Sequence, residues 1–427
     1  MPLRRESITF QYGDAGNCGE PRSVSPSLGQ QSATNLRSRM FCAVARGSLS
    51  VLMALLLACS RDLPESPGQE VQDTPDSVLG DSQSTGRKAA GPDSLTFSVL
   101  RTLGPEASSS PIGEAARRAP RRDARPLLNN PRMAVLGPDG RYYVLDTGNR
   151  QIFVYDSSAQ PVGAIGAYGE GPGEMAGPLG LDITRDGRIA VVDMQLRRVT
   201  VFDTTGRTVQ MASVNRNGAA IVLHDSAFDI LTDFGPSSPG VGQRYSLDGS
   251  LLKDLLQPDA RDREFSRGGV VGWLARGPFD GELLYLGGAP GRLTVLARDG
   301  SIRTRATREL FPEAGFRQLD EGGPVPLSYT TAATMMGGVL SDKRTVFVAY
   351  YHNLTLSEER PAKLSMDWGI AFLDLNGQPI AVGHTPAEWG PVLAVTSGPN
   401  NTLLIAVREP EPRILVVSPH VVERTSP

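Results

Sequence analysis

The chain has 427 residues, 40 % hydrophobic and 21 % charged, with a formal net charge of −3. That balance supports a packed core and excludes a collagen-like or low-complexity protein. Its slight acidity argues against general nucleic-acid binding, which needs a basic footprint. All three cysteines, Cys18, Cys42 and Cys59, lie in the first 59 residues, so the body of the chain holds neither a disulfide nor a thiolate metal site.

Residues 1–39 show no periodicity and no motif. They are expected to be an unstructured or wrongly assigned extension, with Met40 the true start; a long leader region is the alternative. Arg37, Arg39 and Arg46 precede the apolar run Leu49–Ala58, ten residues long. Ten residues are about half of a membrane span and suit a signal-peptide core, assigned to residues 40–58. Leu56-Leu57-Ala58-Cys59 resembles a bacterial lipobox. The resemblance implies cleavage after Ala58, a lipid on the Cys59 thiol and a cell-envelope location. Ser60, rather than an Asp, follows Cys59 and favours the outer membrane. An ordinary signal peptide with an incidental cysteine, or a buried apolar helix, stays open.

Residues 59–94 are rich in Pro, Gly, Ser, Asp and Gln. Such a segment cannot bury enough apolar surface to offset its ordering entropy and is expected to be a disordered tether, spanning on the order of 30–35 Å. Leu95–Leu103 alternates like a strand. A polar stretch from Gly104 to Arg125 follows, carrying Arg117, Arg118, Arg121, Arg122 and Arg125; it reads as a solvated loop or as a patch for anionic lipid, polysaccharide or a partner.

The informative feature is internal repetition. The stretch from Asn129 to Gly166 aligns without a gap on the stretch from Ala176 onward, at an offset of 47 residues. Pro131 falls on Pro178, Asp139-Gly140-Arg141 on Asp186-Gly187-Arg188, Asp146 on Asp193, Arg150 on Arg197 and Tyr155 on Phe202. Each unit reads as four short strands, with Asp-Gly between apolar runs as the hairpin signal. Four antiparallel strands in 40–50 residues make one propeller blade. Weaker units follow from Ile221, Gly281, Arg344 and Pro391, the fifth with an insertion near His352–Asp367. Outer hairpin turns are expected at Asp203, Asp248, Asp299 and Asn376. The predicted fold is all-β, a six-bladed β-propeller over residues 95–427, with Leu95–Leu103 pairing with the last blade to close the ring.

The segment VLDTGNRQIFVYD resembles the NHL repeat: Asp146, Asn149, Ile152 and Tyr155 match it, although Arg150 stands one place early and the second unit has Leu196 in place of the Asn. Gly166–Met175, GAYGEGPGEM, is similar to a Gly-Pro-Gly-Glu stretch of bacterial six-bladed propellers. It is not a nucleotide loop, because no helical pattern follows it. The resemblance covers residues 129–210 specifically and 211–420 loosely.

No catalytic constellation stands out. His224, His352, His384 and His420 lack ligand spacing and read as surface or loop residues. No nucleophile elbow is present. Gluconolactonase- and paraoxonase-type propellers hold a channel cation with Glu, Asn and Asp, and no stretch matches their motifs. The recurring Pro131, Asp139, Gly140, Asp146, Pro178, Asp186, Gly187 and Asp193 are assigned to structure. Candidate ligand-binding residues on the loops that enter the innermost strands are Asn129, Asn130, Arg267, Tyr329 and Trp389, with Gly177 beside them; Trp389 is either an exposed recognition group or packed between blades. The favoured reading is a lipid-anchored, monomeric binding or scaffolding module for a protein, peptide or glycan, without a cofactor and without nucleic acid, catalysis left open. The competing reading is a metal-dependent hydrolase or lyase with Ca2+ or Zn2+ in the channel.

Overall fold

The computed structural model describes residues 92–104, 128–232, 240–257, 272–287, 292–309, 316–318, 324–326, 328–335, 346–356 and 364–423. The expected signal peptide, Cys59, residues 60–91 of the expected tether, the arginines of residues 117–125 and Arg267 lie outside the described residues; the end of the expected tether is instead ordered, because Asp93 and Ser94 pair with neighbouring strands. The described strands belong almost wholly to one compact unit, Arg87–Gln318, Pro324–Leu354 and Met366–Pro427.

The chain is a six-bladed β-propeller. An opening strand β1 (Asp93–Leu103) precedes the first blade, made of β2 (Pro131–Leu136), β3 (Tyr142–Asp146), β4 (Gln151–Tyr155) and β5 (Pro161–Ile165). Two short strands, β6 (Ala167–Tyr168) and β7 (Glu174–Met175), bridge to the second blade: β8 (Pro178–Ile183), β9 (Ile189–Asp193), β10 (Arg198–Phe202) and β11 (Thr208–Ser213). The third is β12 (Gly218–Leu223), β13 (Ala227–Thr232), β14 (Gly242–Ser246) and β15 (Leu251–Leu255). The fourth is β16 (Trp273–Arg276), β17 (Leu283–Leu286), β18 (Arg292–Leu296) and β19 (Ile302–Glu309). After a small hairpin, β20 (Phe316–Gln318) and β21 (Pro324–Pro326), the fifth is β22 (Ser328–Met335), β23 (Val346–Leu356), β24 (Leu364–Leu373) and β25 (Pro379–His384). The described residues at both ends of the expected insertion are strand: β23 runs on to Leu356 and β24 begins at Leu364.

The sixth blade has three strands of its own, β26 (Val392–Ser397), β27 (Leu403–Val407) and β28 (Arg413–Val422); β1 supplies the fourth. Pairing between β1 and β28 is antiparallel, from Ser94 opposite Val422 to Leu103 opposite Ile414. Asp93 and Ser94 also run parallel to Ala381 and Val382 of β25, so the last two blades share one eight-stranded sheet. The innermost strands touch in cyclic order β2, β8, β12, β16, β22, β26 and back to β2, which closes the ring.

Local chemistry explains the hairpins. Asp156, Asp203, Ser246, Ala297 and Asp374 each open a five-residue turn in which the N–H of the fourth residue donates to the carbonyl of the first. The fourth residue has positive φ: Ala159 at 66°, Gly206 at 84°, Gly249 at 92°, Gly300 at 78° and Gly377 at 74°. This is a type I turn followed by a left-handed residue. The Asp carboxylate stands first in blades 1, 2 and 5 and third, as Asp248 and Asp299, in blades 3 and 4. In the fifth blade the accepting side chain is therefore Asp374, and Asn376, expected to mark the turn, donates its backbone N–H to it at 2.8 Å. Gly140 and Gly187 likewise take φ of 75° and 87° in the first hairpins.

The core lies between blades. Val192, Val199 and Val201 pack on Ile221, Phe228 and Ile230 between blades 2 and 3, and Leu95 of β1 packs with Ile370, Val395, Ile405 and Val417 between blades 5 and 6. Blades approach closely where the inner strands converge. A Cβ on Gly180 would meet Ala220 Cα at 2.8 Å, so only glycine fits there.

Candidate functional site

The channel rim is built by two carboxylates. Asp146, fully buried, accepts hydrogen bonds from the backbone N–H groups of Asn129 (2.7 Å), Asn130 (3.0 Å) and Asn149 (2.9 Å). Asp193, one repeat later, accepts from Ala176 (2.8 Å), Gly177 (3.0 Å) and Leu196 (2.9 Å). Each ties the loop entering its blade's inner strand to the turn between the second and third strands. The adjacent Arg150 and Arg197 take φ of 55° and 49°, and Arg150 Nε donates to Ala176 O at 2.9 Å, linking blade 1 to blade 2. Asp139 accepts from Arg141 N–H and from the Tyr143 hydroxyl, whose pKa burial and this carboxylate push up to about 12. The recurring acids thus hold backbone and turns.

Just inside the rim is a collar that the repeat pattern did not reveal. In blades 1, 2, 3 and 6 the pairing of the inner strand skips its second residue: between Pro131 and Met133, Pro178 and Gly180, Gly218 and Ala220, and Val392 and Ala394. The skipped residues are Arg132, Leu179, Ala219 and Leu393. Each is partly accessible between two buried neighbours. A bulge turns its extra side chain out of the ladder, and at the innermost strand that direction is the channel. Blades 1 and 4 face each other across the ring, yet the Arg132 guanidinium carbon lies 5.9 Å from the Trp273 ring centroid. Both side chains therefore reach into the channel.

At the opposite ends of the inner strands, Asp182 accepts from Leu223 N–H (2.7 Å) and from Arg276 Nη2 (2.5 Å), and Arg276 Nη2 also donates to Leu223 O (2.9 Å). One carboxylate thereby joins blades 2, 3 and 4. Burial pushes its pKa up, against the pull of Arg276 and of the Leu223 N–H. Nearby, His224 Nε2 lies 2.6 Å from the fully buried carboxylate of Asp229, which Arg244 grips through Nε (2.7 Å) and Nη2 (2.8 Å). The hydrogen bond to Asp229 raises the Arg244 pKa. With a permanent cation on both carboxylate oxygens, this trio ties a hairpin turn to the third strand of its blade. Among the described residues, no three of His, Cys, Asp and Glu gather closely enough to hold a metal ion.

The sequence candidates divide. Asn129 is exposed on the rim, and Asn130 donates from Nδ2 to Thr147 Oγ1 at 2.8 Å. Tyr329 is the second residue of β22, opposite His352, hence at the start of an inner strand. Trp389 ends a short 3-10 turn before β26, is only 3 % exposed, and packs 5.7 Å from the Phe97 ring. Of its two readings the packed one is observed: the indole is buried and seats β1 against the last blade. The glycine-rich segment before β8 presents carbonyls, not N–H groups, to its interior; Arg198 donates to Glu170 O (2.8 Å) and Gly171 O (2.9 Å), and the Gly171 N–H goes to Glu174. Sequence reading missed Arg132, Trp273 and Asp182–Arg276. The available signal was a charge inside an otherwise apolar inner-strand run.

The DUF5128 family model, described as a 6-bladed beta-propeller, matches residues 132–221. No curated protein sequence matches the chain. Among solved structures, a Bacteroides fragilis protein designated as exported is 11 % identical, covers 79 % of this chain and 98 % of its own, and superposes with a TM-score of 0.51. A DUF4221 member from Bacteroides vulgatus is 11 % identical, with 77 % and 99 % covered and a TM-score of 0.48. Virginiamycin B lyase from Staphylococcus aureus is 11 % identical, with 68 % and 95 % covered and a TM-score of 0.42. At such identities the likeness speaks for the fold alone.

Proposed function

We propose that the chain is a lipid-anchored propeller of the bacterial cell envelope that binds a protein, peptide or glycan at the channel rim, as a monomeric recognition or scaffolding module. The observation that carries the binding reading is the way the rim is held. Asp146 and Asp193 fix the loops through backbone N–H groups, so the Asn129 side chain stays exposed on a rigid frame. A frame already ordered lowers the entropy cost of association. The anchor rests on Leu56-Leu57-Ala58-Cys59 and on the polar tract after it; kinship to NHL repeats rests on Asp146, Asn149, Ile152 and Tyr155.

The test is purification of the full chain from envelopes in mild detergent. The expected result is a partner retained through extraction and a lipid on the chain that Cys59→Ser abolishes. A preparation without a partner, carrying calcium or zinc and turning over lactones or esters, would overturn the binding reading in favour of a cation-dependent hydrolase or lyase.

A further inference from the structure

The geometry points to Arg132 as an oxyanion subsite inside the channel, built to receive a ligand that ends in a carboxylate on an apolar stem, such as the free C-terminus of a peptide. The subsite rests on the binding function proposed for the rim and specifies the chemistry of its ligand.

Four observations converge. The bulge between Pro131 and Met133 delivers Arg132 into the channel. Its Nε is buried and has no hydrogen-bond partner among the described residues. Among the described residues no carboxylate pairs with its guanidinium, and the guanidinium carbon lies 5.9 Å from the Trp273 ring centroid. The other bulge residues of the collar, Leu179, Ala219 and Leu393, are apolar.

A partly accessible cation with no counter-charge among the described residues is only partly compensated in the unliganded state. The indole face supplies part of that compensation but takes none of the N–H donors. Arginine has five such donors in a planar fork, which matches the two oxygens of a carboxylate. The three apolar bulge residues select the group that carries the carboxylate. They offer dispersion contact and no hydrogen bonds, which suits an aliphatic or aromatic side chain and not the hydroxyl-rich flank of a sugar. Asp182 and Arg276, at the far ends of the inner strands, are paired with one another and do not compete for the ligand.

The experiment uses the full chain in detergent and follows tryptophan fluorescence as a pool of apolar tripeptides with free carboxylates is added. The expected result is a saturable response, weakened about 10- to 100-fold in Arg132→Met, and absent for the same pool capped as C-terminal amides. Arg132→Lys keeps the charge but loses the fork, and is expected to fall between. Arg132→Met also removes an unpaired cation, so its thermal midpoint is expected to match or exceed that of the wild type, which shows that the ring still folds.

Equal binding of acid and amide pools, or of wild type and Arg132→Met, would overturn the oxyanion assignment and leave the binding module standing. Silence of the acid pool would overturn it as well. A response confined to uronic-acid oligosaccharides and dependent on Arg132 would overturn the peptide and reassign the ligand to acidic glycan. Failure of the binding reading itself would show separately, as loss of any retained partner in the detergent extract.

Discussion

Replacing Asp146 by Ala tests whether the rim is held as described. The carboxylate accepts three backbone N–H groups at 2.7–3.0 Å and the Asn149 side-chain amide at 3.3 Å. Ala leaves all four donors without it. Hydrogen bonds to a charged group contribute about 1.5–3 kcal/mol each, but water can reach the exposed side of this loop and recover part of that. The expected loss is therefore about 3–5 kcal/mol, at the upper end of what single substitutions cost. Asp146→Asn keeps one oxygen for two of the donors and turns an NH2 group toward the Asn129 N–H. Its expected loss is about 2 kcal/mol. Asp139→Ala, which removes bonds to Arg141 N–H and the Tyr143 hydroxyl at a more exposed turn, serves as the reference at about 1 kcal/mol. Urea unfolding of the full chain, followed by circular dichroism and by tryptophan fluorescence, gives the differences from the midpoints, provided the two probes coincide and the slope is unchanged. A loss for Asp146→Ala no larger than that for Asp139→Ala would refute the idea that this carboxylate secures the rim.

Other parts of the ring give three further expected outcomes. Ala159 occupies at φ 66° the turn position that Gly fills in four other blades, so Ala159→Gly is expected to stabilise by about 0.5–1 kcal/mol in the same urea assay; a destabilised variant would contradict the strain. Arg276→Ala leaves the buried Asp182 carboxylate without its cation, a loss of about 2–3 kcal/mol, below the full buried-pair value because the guanidinium is 39 % exposed. Adding Asp182→Asn should recover part of it, and a double variant less stable than the single one would argue against the pair. Asp203 has its pKa held down to about 2, first by the Thr205 hydroxyl. Its contribution is complete above the unfolded value of 3.8 and is lost as pH falls toward 2, so Asp203→Asn should flatten the decline of stability across that window, and an unchanged pH profile would count against it.

The parts of the fold legible in the sequence are those where one residue type has one mechanical job. Asp146 and Asp193 must both be acceptors, and Gly140 and Gly187 must both take positive φ, so the first two blades align residue for residue. Blades 3 and 4 keep the same five-residue turn but move its carboxylate from the first to the third position, at Asp248 and Asp299, and the identity signal fades while the geometry persists. The collar was illegible for the opposite reason. A bulge constrains the backbone and not the side chain, so its four members read Arg, Leu, Ala and Leu, with no residue type common to all. Trp389 was ambiguous because sequence locates it beside a rim loop but says nothing of Phe97, which arrives from the other end of the chain.

That arrival has a consequence for how the molecule is made. Ser98 and His420 touch across 322 residues of sequence, so the strand synthesised first waits for the one synthesised last. Contacts of such separation form late, after loop-closure entropy has been overcome. Until they form, β25 and β28 each present an unpaired edge, and Leu95 and Leu103 have nowhere to be buried. The nascent ring is then a template for joining another chain.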